Sequence, residues 1–118
     1  MQNGVVGTPS ALPALVDAAA EVDLVAHCAQ LAGAARRLGV PVVHCTAETR
    51  ADGRGANRNA RLFAGILKSP VQMTPGTPAV QVPEAIGVEP TDVVLTRLHG
   101  LGPMTGTQLD PVLRNLGV

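Results

Sequence analysis

The sequence of 118 residues contains almost no aromatic side chains: one Phe, at position 63, and neither Trp nor Tyr. A hydrophobic core must therefore be built from aliphatic residues, and the hydrophobic share of 46% suffices for one domain over residues 1–118. An excess of charge is also absent, because nine basic residues balance nine acidic ones. General nucleic-acid and anionic-membrane binders normally carry a basic excess, so the sequence predicts neither kind of partner.

Long apolar runs and cysteine frameworks are missing too. No stretch approaches the ~20 apolar residues of a membrane span, and no basic segment precedes an apolar block as in a signal peptide. The only cysteines, Cys28 and Cys45, are too few for a disulfide framework. We therefore expect a cytoplasmic protein in which both are reduced core thiols.

Residues 22–38 show the clearest helical pattern, with apolar side chains recurring every three or four positions. Acidic residues lie at its start and arginines in its last turn, as the helix dipole favours. Two continuous apolar runs, at 40–45 and 91–96, predict strands covered on both faces. Such strands are typical of a parallel sheet between helices, so the expected fold class is α/β.

Two further helices are predicted at 59–68 and 107–116. Thr107 is a suitable N-cap for the second of these, because its hydroxyl can accept a hydrogen bond from a free backbone N–H. Residues 8–20 and 70–90 contain repeated prolines, which predict irregular or extended chain.

The last six residues, 113–118, repeat the pattern of residues 35–40. In the earlier copy Gly39 is placed just past a helix end, where a left-handed backbone carries no Cβ penalty, and an apolar run follows. By analogy we expect a strand after Val118. Two strands are also too few for a buried parallel sheet, so we expect the chain to be part of a longer domain.

The loop 97–107 leaves the carboxyl end of the second predicted strand, where open α/β sheets bind ligands. It ends at a helix N-terminus, whose free N–H groups attract anions. Its glycines would let the backbone approach a ligand or would simply permit a tight turn, and the sequence leaves both open. Arg97 at the strand end could orient a carboxylate or stabilise a thiolate, or it could pair with a surface acid.

Other candidate side chains are weaker. His44 and His99 could be catalytic bases or metal ligands, but no Asp/His/Cys spacing indicates a metal site, and satisfied or surface histidines are favoured. Cys45 is placed like a nucleophile at a strand end, yet no base or cation is adjacent in sequence, so a core thiol is favoured. The arginines at 50, 54, 58 and 61 could form a solvated face, an oligomer contact or a site for an anionic substrate. The first two interpretations are favoured over the third.

Three segments together resemble the isochorismatase-like cysteine hydrolases. Residues 1–4 (Met-Gln-Asn-Gly) resemble the tail of the Asp-x-Gln-Asn motif that ends the family's first strand. Residues 36–44 resemble its second strand and the preceding helix, and residues 92–110, closing at 113–118, resemble the third strand, the active-site loop and the next helix. The resemblance implies a three-layer, Rossmann-like α/β fold with a mostly parallel sheet, here incomplete at both ends.

The resemblance also implies a chemistry: hydrolysis of small amides or of the isochorismate vinyl ether. The amidase members use a Cys nucleophile supported by an Asp and a Lys. Here the Asp would precede Met1 and the Cys would follow the strand expected after Val118. The nearest match to the Lys is Arg97, which keeps the charge but cannot shuttle a proton. Residues 102–104 also depart from the family's Ser-Ala-Phe-like stretch.

Our leading hypothesis is a fragment of a hydrolase that cleaves a small amide or a related small carbonyl or carboxylate substrate, without metal or cofactor. Arg97 would occupy the catalytic Lys position, in a parent that forms a homo-oligomer. Substrate-binding positions would be Gln2, Asn3, His99, Gly106 and Thr107. The alternative is a non-catalytic member acting as a binding or oligomerisation module, and a complete small domain with its own function is a third possibility. A Cys after the strand expected beyond Val118 would support hydrolysis.

Overall fold

The structure, a computed structural model, describes residues 1–118 as an assembly of short helices around two parallel strands. A single 3-10 turn, Pro78–Val80, lies in the proline-rich segment. The elements are α1 (Asn3–Val6), α2 (Pro13–Glu21), α3 (Leu24–Arg37), β1 (Val43–Ala47), α4 (Arg61–Ile66), β2 (Val93–Arg97) and α5 (Leu109–Asn115). No helix is both long enough and apolar enough to cross a membrane.

Strands β1 and β2 pair in parallel, in a register that runs from Val43 opposite Val93 to Ala47 opposite Arg97. The predicted α/β class with a parallel sheet is therefore confirmed. Both strands begin two or three residues later than predicted and end one or two residues later. The start of β1 is later because the chain after α3 first closes the helix end, and that of β2 because the Asp92 N–H first closes a turn with the Glu89 carbonyl at 2.9 Å. The predicted strand bounds of 40–45 and 91–96 were wrong by that amount.

Helices α3 and α5 end with the same backbone motif. The N–H of Gly39 donates to the carbonyl of Arg36 at 3.1 Å, and the N–H of Val40 donates to that of Ala35 at 2.9 Å. Residues 113–118 repeat this pair of bonds, and the glycines have φ of +69° and +81°. Both ends are Schellman motifs, which require a left-handed residue and so favour glycine. The predicted repeat of a helix terminus is confirmed.

The apolar stripe of α3 is less covered than its spacing predicts. No residue of this helix is buried, and Leu31 and Leu38 are 69% and 79% exposed. A sequence period shows which face is apolar, but what covers that face depends on neighbours that the period does not encode. Across the chain only 10 residues are buried, and none of them is a fully buried large side chain.

The irregular structure predicted for residues 8–20 was wrong from residue 13 onward, where α2 (Pro13–Glu21) begins. Pro13 occupies the first helical turn, where a missing N–H costs little, so this proline starts the helix instead of preventing it. The short helix α1 was not predicted at all. Its Gly4 packs so closely that a Cβ there would lie 2.7 Å from the Ala79 carbonyl oxygen.

The predicted helices at 59–68 and 107–116 both form, over the shorter spans Arg61–Ile66 and Leu109–Asn115. Thr107 lies two residues before α5, and its hydroxyl accepts a hydrogen bond from the Leu109 N–H at 3.2 Å. The hydroxyl also donates to the Pro103 carbonyl, which folds the preceding loop back onto the helix start.

A buried polar cluster joins the amino ends of the strands to α3. Asp92, whose side chain is 1% exposed, accepts hydrogen bonds from Arg36 Nη2 at 2.5 Å and from His44 Nε2 at 2.9 Å. The Glu89 N–H donates to the same carboxylate at 3.0 Å. His44 is therefore a satisfied histidine, as predicted. The bonds from Arg36 hold the pKa of Asp92 well below its ordinary value of 3.8.

Candidate active site

Arg97, the last residue of β2, directs its guanidinium across the carboxyl ends of both strands. Nη1 donates to the Thr46 carbonyl at 3.1 Å, Nη2 to the Leu101 carbonyl at 2.9 Å, and Nε to the Gly100 carbonyl at 3.3 Å. A guanidinium carries five N–H groups, so two of them remain free. The four ion pairs of the structure leave out Arg97, so the suggested pairing with a surface acid is wrong.

The loop after Arg97 is fixed by backbone contacts. Gly100 adopts φ of +72°, and its N–H donates to Asn57 Oδ1 at 2.7 Å, which ties the loop to the segment before α4. Gly106 adopts φ of +70°, and a Cβ there would lie 3.4 Å from the ring of His99. The glycines therefore serve the turns of this loop, and at Gly106 the absent Cβ also makes room for the exposed His99 ring.

A cavity of about 490 Å³ lies between the end of β2 and this loop; we call it the loop cavity. Four of the six predicted site residues line it: Arg97, His99, Gly106 and Thr107. It is bordered by Cys45, Val94, Leu95, Thr96, Arg97, Leu98, His99, Pro103, Gly106, Thr107 and Gln108. Its place at the carboxyl end of the sheet is where α/β folds bind ligands.

The thiol of Cys45 is a free, half-buried group on the β1 side of the loop cavity. Cys28 lies on α3 and lines neither this cavity nor the second one described below. Neither thiol is fully buried, so the expectation of core thiols holds only in part.

Gln2 uses its side-chain amide as a substitute for a neighbouring strand. Oε1 accepts a hydrogen bond from the Ala47 N–H at 2.6 Å, and Nε2 donates to the Ala47 carbonyl at 2.8 Å. Gln2 is 4% exposed, and its Nε2 also contacts Met73 Sδ at 3.2 Å. Asn3 donates from Nδ2 to the Pro78 carbonyl at 3.1 Å and lines neither cavity. The loop cavity therefore includes neither residue, but Gln2 lines the second cavity, described below, together with Arg97 and His99.

A second cavity, of about 530 Å³, lies on the other side of Arg97, between the end of β1 and helices α2 and α4. We call it the apolar cavity, because 12 of its 19 lining residues are hydrophobic. Arg97, Leu98 and His99 line both cavities and form the wall between them. The apolar wall consists of Val5, Leu12, Leu15, Leu62, Phe63, Ile66, Leu67 and Met73, with Leu98 and Leu101 at the end of β2.

Three residues of this region were missed at the sequence level. Glu48 directly follows β1 and lines the apolar cavity, but the strand was predicted to end before it. Phe63 is the only aromatic residue and lies on the cavity wall, which its rarity alone could have suggested. Asn57 gave no signal, because its bond to Gly100 depends on how a polar loop folds.

No group of three or more His, Cys, Asp and Glu side chains is arranged to hold a metal ion. His44 and His99 lie at opposite ends of the strand pair, and His44 shares Asp92 with a guanidinium. An adjacent guanidinium opposes the binding of a cation, so the Asp92 cluster has the character of a structural ion pair.

Residues 1–118 match the family model of the isochorismatase domain over their whole length. The chain belongs to the isochorismatase family. An isochorismatase family protein from Burkholderia thailandensis is similar, with 32% identity and a TM-score of 0.67 over 99% of this chain and 55% of that one. A search of curated proteins gives no match.

Two other solved structures share the fold. A cysteine hydrolase from Pseudomonas syringae pv. phaseolicola is 27% identical, with a TM-score of 0.71 over 97% of this chain and 50% of that chain. N-carbamoylsarcosine amidase from Thermoplasma acidophilum is 23% identical, with a TM-score of 0.66 over 100% of this chain and 58% of that chain. The chain thus spans about half the length of the structures it matches.

Proposed function

We propose that this isochorismatase-family chain forms the Arg97 side of a hydrolase site for a small amide or a related small carbonyl or carboxylate compound. The observation that carries the proposal is the state of the Arg97 guanidinium. It is oriented by three carbonyls, neutralised by no carboxylate, and retains two N–H donors in the wall between two cavities. An uncompensated guanidinium held in place is well suited to bind a carbonyl or carboxylate oxygen.

In this proposal Arg97 binds the oxygen of the scissile carbonyl or of the carboxylate product. Hydrolysis adds water across the C–N bond, so the amide yields a carboxylic acid and an amine. The carbonyl oxygen gains negative charge when the nucleophile adds to the carbonyl carbon, and a fixed cation favours that change. His99, Gly106 and Thr107 form the loop side of the substrate site, while Gln2 and Asn3 hold the amino-terminal segment against the end of β1 and the Pro78 carbonyl.

We propose a cytoplasmic homo-oligomer as the setting of this site. Two free thiols suit a reducing compartment. Exposed apolar side chains such as Leu31 and Leu38 on one side of the molecule suit contact with another protein surface.

The second candidate function is a non-catalytic binding or oligomerisation module of the same fold. It is favoured by the chemistry of Arg97, because a guanidinium stays protonated and cannot exchange a proton with the substrate. The two candidates differ in whether the protein turns over an amide. The identity of the residue after the strand expected beyond Val118 is a second difference between them.

The test is turnover by the protein expressed from its full reading frame. Ammonia release from a panel of small primary amides would be followed, and we expect release that stops after thiol alkylation. A Cys after the strand expected beyond Val118 would agree with that result. Amide binding without ammonia release, together with Ser, Val or Ala at that position, would exclude hydrolysis and leave the binding module.

A further inference from the structure

We propose that the apolar cavity binds the hydrocarbon group of a primary carboxamide, whose amide head lies between Glu48 and Arg97. This inference deepens the proposed hydrolase function and rests on it for the identity of the reaction. It concerns the class of compound that the site accepts, which the family match leaves open.

The walls of the cavity account for the hydrocarbon part. Helix α4 contributes Leu62, Phe63 and Ile66, and α2 faces them with Leu15. A volume of about 530 Å³ is within the usual range for small-molecule sites. Binding strengthens with each CH₂ group that is removed from water, so such walls favour a substituent of several carbons over a bare methyl group.

The polar end of the cavity accounts for the amide. Among the 19 lining residues only Glu48 and Arg97 are formally charged, and they lie at the ends of neighbouring strands. The Glu48 N–H donates to the Arg97 carbonyl at 2.9 Å, which fixes the two backbones side by side. Their side chains form no ion pair with each other or with any other residue.

One acceptor and one donor of this kind match the two sides of a carboxamide. The amide oxygen accepts from the free N–H groups of Arg97, and the amide NH₂ donates to the Glu48 carboxylate. A carboxylate ligand would satisfy Arg97 but would place its second oxygen against Glu48, and like charges repel. The pair therefore selects the amide over the acid that its hydrolysis produces, which would help the product to leave.

The experiment compares three probes on the full gene product by isothermal titration calorimetry: cyclohexanecarboxamide, cyclohexanecarboxylate and acetamide. We expect the first to bind at least about tenfold more tightly than either of the others, which corresponds to about 1.4 kcal/mol. Equal affinity of the cyclohexyl acid and amide would overturn the role of Glu48. Equal affinity of acetamide and cyclohexanecarboxamide would overturn the apolar subsite.

Two variants locate the binding. Ile66→Trp fills the cavity and should abolish binding of the cyclohexyl amide, whereas the control Gln30→Trp, at an exposed polar position of α3, should leave it unchanged. Glu48→Gln keeps the shape of the side chain and should weaken the amide while strengthening the acid. If Ile66→Trp does not fold, as judged by circular dichroism, the Glu48→Gln result decides. An unchanged ratio of amide to acid affinity in Glu48→Gln would overturn the proposal.

Ammonia is measured in the same samples, which separates the two proposals. Tighter binding of the cyclohexyl amide without ammonia supports this site and excludes hydrolysis. Ammonia release from acetamide, with no tighter binding of the cyclohexyl amide, supports hydrolysis and excludes the apolar subsite.

Discussion

Each end of the strand pair holds an arginine, and the two are used in opposite ways. At the amino end, Arg36 pairs with the buried carboxylate of Asp92 at 2.5 Å. At the carboxyl end, Arg97 contacts only carbonyl oxygens and keeps its charge. A neutralised arginine fastens α3 to the sheet, whereas an oriented but uncompensated one is available to a ligand. The difference distinguishes a cation held in a buried ion pair from one whose charge is free for the proposed role.

The partners also explain why the two ends differ in burial. Asp92 accepts bonds from three segments, so its exclusion from water is compensated by hydrogen bonds to every oxygen. Arg97 is half-buried beside two cavities, where water or a ligand can satisfy its remaining donors. Because of these contrasting environments, we expect substitutions at the two ends to differ in their effects on stability and activity.

Removal of Asp92 should have the largest effect. Asp92→Ala leaves Arg36 and His44 without their shared acceptor and should lower the free energy of unfolding by about 2–3 kcal/mol. Urea denaturation of the full gene product measures the change. The matched control is Asp110→Ala, which removes an exposed pair with Arg114 on α5 and should cost about 0.5 kcal/mol or less. Equal effects of the two variants would contradict the structural role assigned to the amino end.

Removal of the Arg97 charge should act on function more than on stability. Arg97→Met should lower kcat/KM for a small amide by about tenfold, because a hydrogen bond to a developing charge contributes about 1.5 kcal/mol. Arg37→Met, an exposed arginine in the last turn of α3, is the control and should keep the wild-type rate. A rate unchanged in Arg97→Met, or an equal loss in both variants, would place the site elsewhere.

The amino end should also respond to acid. The folded-state pKa of Asp92 lies below its ordinary value of 3.8, so the unfolded chain binds the proton more readily. Its stabilising contribution is therefore complete above about pH 4 and is lost as the pH falls below that value. Unfolding free energy measured between pH 5 and pH 3 should fall less steeply in Asp92→Asn than in the wild type. Parallel curves would show that another group controls the acid response.

The smallest effect is expected at Asp52, a carboxyl outside the strand pair whose pKa is lowered. Hydrogen bonds from the Arg50 guanidinium lower its pKa to about 2, but both side chains are largely exposed. Arg50→Ala should return the pKa of Asp52 towards 3.8, as measured by NMR titration, with no change in the denaturation midpoint. A shifted midpoint would mean that this exposed pair also supports the fold.

The sequence was sufficient for the elements that local chemistry determines. The period of α3, the two apolar runs and the glycine of each Schellman motif are local signals, and each led to an element of the structure. The sequence does not predict helix α2, because a proline usually interrupts a helix, whereas Pro13 occupies its first turn. The placement of Arg97 at the end of β2 was predicted for the same local reason.

Contacts between distant segments could not be predicted in this way. Arg36 was attributed to the dipole of its own helix, yet its partner Asp92 lies 56 residues further along the chain. The bond from Gly100 to Asn57 and the apolar wall around Phe63 likewise depend on how loops and helices pack. Four of the predicted site residues meet at the loop cavity because they share a single loop. Gln2 comes from a distant segment and meets Arg97 and His99 at the apolar cavity, whereas Asn3 lines neither cavity.

The bond between Gln2 and Ala47 has a consequence for hydrogen exchange. The Ala47 amide proton is held by a side chain 45 residues away in sequence. It can exchange with solvent only when Gln2 withdraws, and that withdrawal requires the first turn of the chain to leave its place against Met73 and Ala79. The exchange rate of one backbone proton next to Glu48 thus reports how often the amino-terminal segment opens, and with it how often one wall of the apolar cavity is lost.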